Sequence, residues 1–167
     1  MFLTISAFLL FGIVQINLQR TALESAVSMD GNTVMQTGIG IARAITDEIQ
    51  QRKFDAANTT KILVYKKDLT AIGAGTGEVY PNLNDIDDFH NVTFTSPAPG
   101  ASSTVLSRTP RCLHGTSGYR VNIRVAYVNP ASPNTTTTSY TFAKRVTVTV
   151  TNTSADYALT TTFIAAY

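Results

Sequence analysis

The chain has 167 residues, 44% of them hydrophobic and 14% charged, which suits one domain of ordinary size with an appendage. With 13 Lys and Arg against 11 Asp and Glu, the net charge of +2 is too small for broad attraction to a phosphate backbone, so nucleic acid is not an expected partner. The single cysteine, Cys112, excludes an intramolecular disulfide framework and a thiolate metal cluster within one subunit, so packing is expected to hold the fold.

No Lys or Arg precedes Arg20, so the basic region of an ordinary signal peptide is missing and a processed start is expected. From Phe2 to Val14 the run is almost entirely apolar. As a helix it would span roughly 20 Å, short of a hydrocarbon core of ~30 Å, and with Ile16 and Leu18 it just reaches across. Phe2, Phe8, Leu9, Phe11, Gly12 and Val14 are the candidate polymerisation contacts. Gly12, Gln15 and Asn17 suit close packing between helices better than a plain lipid anchor does. Arg20 and Glu24, four apart, mark an exposed helix side.

Beyond Arg20 the pattern becomes amphipathic: Val34, Gly38, Ile41, Ile45 and Ile49 recur three or four apart, with Arg43, Asp47, Glu48 and Gln50 between them. Asp30, Gly31 and Asn32 are poor helix formers, and a kink or break is expected there. Residues 1–53 therefore read as an N-terminal helix, with 1–28 an apolar polymerisation or membrane segment and 29–53 an amphipathic half packed on a head of residues 54–167. A helix of that length would be about 80 Å long, against a radius of gyration of about 13 Å for the head, so its apolar half is expected to project and to be covered by lipid or by neighbouring copies.

After Phe54 the period shortens. A first strand is expected over Lys61–Tyr65, and a clear one over Arg120–Val128, where Val121, Ile123, Val125 and Tyr127 alternate with Asn122, Arg124 and Ala126. Ser139–Thr151 carries Tyr140, Phe142, Val146, Val148 and Val150 on one parity, interrupted only by Lys144. The intervening NPASPNTTTT reads as an exposed hairpin loop, so these two strands should pair antiparallel. Tyr157–Ala165 adds a further strand after a turn at Asn152–Asp156. The fold class is α+β, an antiparallel sheet packed on the second half of the long helix.

An apolar helix, an amphipathic helix and an antiparallel sheet, in that order, resemble the type IV pilins and their pseudopilin relatives. The segment GIARAITDEIQQRKFD, residues 40–55, is similar to the helix end of such proteins, and GEVYPNLNDIDDFHN, residues 77–91, to the Asp-Asp-aromatic stretch that follows it in some of them. Family members usually carry Glu at the fifth mature position, and here it is Ile5. Either the numbering begins at another point than the usual processing site, or the terminal amines are neutralised otherwise, for instance by the hydroxyls of Thr4 or Ser6. The resemblance implies residence in the inner membrane before assembly, cleavage by a prepilin peptidase, extraction by pilus assembly machinery, and a filament of like copies at the cell surface, with no cofactor.

Other chemistry is thinly represented. Asp85, Asp87 and Asp88, with Asn82 and Asn84, offer oxygen ligands that Ca²⁺ accepts, but without EF-hand spacing, and a solvated turn or helix-capping role is favoured. Cys112 and His114 in RCLHG, read as neighbouring strand positions of equal parity, need not meet, and His90 has no partner at metal-ligand spacing. The glycines at 38–40 and 73–77 lack the context of a phosphate loop and read as helix-packing and turn residues. Asn58, Asn91, Asn134 and Asn152 begin Asn-X-Ser/Thr triplets. A structural, non-enzymatic filament subunit is thus the expected function, since no nucleophile, base and orienting group converge. A minor pilin or pseudopilin of a secretion or pilus machine, and a membrane-anchored extracytoplasmic binding domain, are the alternatives.

Overall fold

The computed structural model describes residues 2–59, 62, 64–75 and 77–167; the side chains of residues 2–14, 22–30 and 59 lie outside the description. The chain divides into two compact units, Met1–Gln36 and Thr37–Tyr167. A helix, α1, is assigned over Phe2–Gln50. It is not interrupted at Asp30, Gly31 and Asn32, against expectation; such residues each cost a helix at most about 1 kcal/mol, which flanking helix formers offset.

In the second unit the last turns of α1 bury Gly38, Ile41, Ala42, Ile45 and Ile49 as one stripe, the expected amphipathic face, while Arg43, Asp47 and Gln50 stay in water. The fold is α+β: the head is a five-stranded antiparallel sheet. Its strands are β1 (Thr93–Thr95), β2 (Tyr119–Asn129), β3 (Ser132–Thr136), β4 (Ala143–Asn152) and β5 (Tyr157–Ala166). The order is β1-β2-β4-β5, with β3 folding back onto the end of β2. A short helix, α2 (Ser103–Ser107), lies between β1 and β2, its first turn capped by the Ser102 hydroxyl, which accepts from the Val105 N–H.

The register places Val121, Val150 and Leu159 in one row, Ile123, Val148 and Thr161 in the next, and Val125, Val146 and Phe163 in the third. The valines and isoleucine of these rows are buried, so the inner face of the sheet is a block of β-branched side chains. The opposite parity presents Asn122, Arg124, Thr147, Thr149, Thr160 and Thr162, exposed or half-buried, so one face of the sheet is solvated.

Three strand expectations are corrected. Among the described residues of Lys61–Tyr65 there is no strand; Ile62 and Val64 are 79% and 64% exposed, and isolated β-branched residues without a neighbour to pair with do not make a strand. NPASPNTTTT is not all loop: Ser132–Thr136 forms β3, fully exposed, where Pro133 lies in a strand paired on one side only. The long strand starts at Ala143 instead of Ser139, because the buried Thr141 hydroxyl turns to donate to the carbonyls of Val128 and Ala143, at 2.8 and 2.9 Å, and holds the preceding chain in a turn.

Candidate functional site

Lys144 stands on β4 with the parity of Val146, Val148 and Val150, so its side chain enters the core, where it is fully buried. Its Nζ donates to three oxygens: the Asp87 Oδ2 at 2.6 Å, the Phe54 carbonyl at 2.7 Å and the Asp55 Oδ2 at 3.1 Å. The ammonium also lies 4.2 Å from the centroid of the Phe54 ring and 5.1 Å from that of Tyr127, so two aromatic faces complete its surroundings. The segment that follows α1 delivers Phe54 and Asp55, and a 3₁₀ turn at Asp87–Phe89 delivers Asp87. That turn is tied to the same segment by the Ile86 N–H, which donates to the Lys53 carbonyl at 2.9 Å.

The two carboxylates at Lys144 differ in what else reaches them. Asp55 Oδ1 accepts from the Ala57 N–H at 3.0 Å, the Thr70 hydroxyl at 3.1 Å and the Thr70 N–H at 3.3 Å. Burial pushes Asp55 up, but these donors and Lys144 outweigh it and hold the carboxyl below its ordinary range. Among the described residues Asp87 has Lys144 alone as a side-chain partner, and its Oδ1 is buried with none. Burial therefore prevails over Lys144, and Asp55 and Asp85 add repulsion, so the Asp87 carboxyl is pushed up to about 7. One ammonium cannot neutralise two carboxylates, and Asp55, with more hydrogen-bond donors, keeps the charge while Asp87 takes up a proton near neutrality.

Asp85 and Asp88 serve the backbone. Asp85 Oδ1 accepts from the N–H groups of Asp87 (2.7 Å) and Asp88 (3.2 Å), and Asp88 Oδ2 from those of Asn84 (2.7 Å) and Asp85 (3.2 Å). Burial and the nearby Asp88 raise Asp85 to about 6 despite those bonds. Burial likewise raises Asp88, against the Asn84 and Asp85 N–H groups. The turn is therefore buried, contrary to the solvated turn expected at Asp85, Asp87 and Asp88. The Ca²⁺ candidate gets no support from the geometry: among the described residues no three His, Cys, Asp or Glu are arranged to hold a metal ion, and Asp85 Oδ1 and Asp88 Oδ2 are committed to N–H groups and Asp87 Oδ2 to Lys144.

Of the other residues singled out, Cys112 lies in a 3₁₀ turn, Arg111–Leu113, and not on a strand. Burial pushes its thiol up, with Glu48 adding to the shift. The Nε2 of His114 faces the carbonyls of Leu106 and Thr109, at 3.1 and 3.0 Å. His90 accepts the Val125 N–H on Nδ1 at 3.1 Å. Gly38 faces the Tyr157 ring, where a Cβ would stand 2.9 Å from Cζ. Of the triplet asparagines, Asn91 and Asn134 are exposed, and Asn152 is buried, its Nδ2 donating to the Ser117 carbonyl at 3.1 Å. Phe2, Phe8, Leu9, Phe11, Gly12 and Val14 fall within α1, but their side chains lie outside the described residues. Among the described residues no helix is long and apolar enough to cross a membrane.

The lysine at an inward-facing position of β4 and the run of aspartates at 85–88 are the visible sequence signals of this cluster, but nothing local joins the two. The partners of Lys144 come from 57 and 89 residues away, which no local spacing reveals. Comparison with protein-family models, with curated proteins and with solved structures gave no match.

Proposed function

We propose that this chain is a structural, non-enzymatic subunit that polymerises through its apolar N-terminal helix into an extracellular filament of the type IV pilin kind. The observation that carries this reading is the contrast along α1. Its last turns bury their apolar stripe within the head unit, whereas Ile16 and Leu18 are 57% and 66% exposed in an uninterrupted exposed stretch over residues 15–21. Apolar side chains on a helix gain about 25 cal/mol per Å² when removed from water, and equivalent helices of other copies are the cover that suits the almost wholly apolar run Phe2–Val14 beside them. Before assembly the same segment rests in the inner membrane, and pilus assembly machinery draws it out to the cell surface. The test is negative-stain electron microscopy of the purified full-length chain after removal of detergent. Uniform thin filaments are expected; dispersed monomers or amorphous aggregate under all conditions would overturn the reading.

A further inference from the structure

The Lys144 site holds the parts of a reaction as well as those of an ion pair. An amine and a carboxyl group are pressed together in a buried space, Nζ lying 3.1 Å from the Asp55 oxygen Oδ2. The other oxygen of that carboxyl, Oδ1, accepts from the Ala57 N–H and the Thr70 hydroxyl, and shares the Thr70 N–H with Oδ2, at 3.3 and 3.1 Å. This is where charge would collect if Nζ added to Cγ, and donors fixed in advance around a developing oxyanion in a dry site are among the strongest catalytic devices proteins use. A second carboxyl, Asp87, lies 2.6 Å from Nζ, buried and, among the described residues, with one oxygen unpartnered, so it can give up a proton and take one back. The rings of Phe54 and Tyr127 wall the amine off from water.

From this geometry we infer that Lys144 and Asp55 condense into an intramolecular isopeptide bond, with Asp87 as the catalytic proton carrier. Asp87 starts protonated and Asp55 charged; a proton passes from Nζ to Asp55 Oδ2, and the neutral amine adds to Cγ of the neutral carboxyl so formed. The tetrahedral oxyanion forms on Oδ1 against the Ala57 and Thr70 donors. Oδ2, already carrying the first proton from Nζ, then departs as water with the proton held by Asp87, and the nitrogen returns a proton to Asp87. Of the three hydrogens on Nζ, one stays in the amide, one leaves in the water and one replaces the proton that Asp87 gave; the C–N bond forms as the C–Oδ2 bond breaks, and Asp87 ends as it began. No oxidant or co-reactant is required. Burial supplies the direction: an ammonium and a carboxylate held in the interior carry a desolvation penalty that a neutral amide largely escapes, and excluded water cannot reverse the step. The readiness of Asp87 to hold a proton near neutrality matches its role.

The experiment is mass spectrometry on peptides from the purified full-length chain, cut with a protease that cleaves after lysine. The expected result is a joined peptide pair containing Asp55 and Lys144, lighter than the sum of its parts by one water, with cleavage after Lys144 absent. Asp55→Asn should give the same joined pair with ammonia as the leaving molecule. Asp87→Asn should give the two peptides free at full mass. Wild-type peptides that are free at full mass overturn the proposal; a bond mapped to Asp87 overturns the choice of Asp55, and a joined pair in Asp87→Asn overturns the proton carrier.

Discussion

Asp85 and Asp87 are carboxyls kept near neutral in a head whose surface is otherwise solvated by hydroxyls. The folded chain holds a proton on Asp85 up to about pH 6, and on Asp87 up to about pH 7, where the unfolded chain has released both by about pH 4. The native state binds more protons across that window, so stability falls as pH rises through it. Asp55 has the opposite sign, but its contribution is lost only below its ordinary value of 3.8. The urea midpoint of the head should therefore drop between about pH 4 and about pH 7 by an equivalent on the order of several kcal/mol, and Asp85→Asn, which preserves an oxygen for the two N–H groups, should flatten part of the slope. A midpoint that is level or rising across the window would contradict the buried-carboxyl account. The acidic cluster was visible in the sequence as a cluster, yet not as a buried one, because polar composition speaks for water unless the lysine that enters among the aspartates can be placed. Lys144 could be seen to interrupt an apolar parity; that Asp55 and Asp87 answer it depends on the crossing of β4 with the end of α1, which only the folded chain specifies.

At the scale of elements, α1 meets the sheet through small and branched residues. Gly38 lies under the ring of Tyr157, the first residue of β5, so the sign of one substitution reports the contact. On a free helix Gly38→Ala would stabilise by up to about 1 kcal/mol; against the Tyr157 ring it should instead destabilise by about 1–3 kcal/mol, read as a melting temperature lowered by several degrees. A raised melting temperature would show that helix and strand do not approach as closely as described. Ile49, fully buried in the last turn, should cost about 2–5 kcal/mol when cut back to alanine, measured by denaturant unfolding. The stripe from Gly38 to Ile49 was legible because helical period and burial agree there, and β2, β4 and β5 were legible because a half-buried strand writes its alternation directly into the sequence. β3 was not, since all its side chains face water and its pairing is a backbone matter that side-chain pattern does not record. β1 escaped for a related reason: with three residues it has a single buried side chain, Phe94, too few for a period.

The whole molecule is read as a head that folds by itself and an N-terminal segment that joins copies. Phe8→Asp should abolish filaments while leaving the circular dichroism of the head unchanged, because a carboxylate placed in a packed helical bundle lacks a partner and costs several kcal/mol. Filaments of normal appearance would count against packing through this segment. A chain beginning at residue 29 keeps the whole unit Thr37–Tyr167 and should be a cooperatively melting monomer by size-exclusion chromatography; fibres from it would move polymerisation to the head, with the β5 edge the first place to look. The contact between Asp55 and Lys144 has a mechanical meaning as well. If neighbouring copies grip a subunit by its N-terminal helix, tension carried along α1 reaches Asp55 five residues beyond its last residue, Gln50. A tie from there to β4, 89 positions along the chain, passes load straight into the strand at the middle of the sheet and leaves the intervening segment slack. Once that tie is covalent, a subunit pulled from its two termini would unravel short by the length of that loop, about 300 Å at full extension.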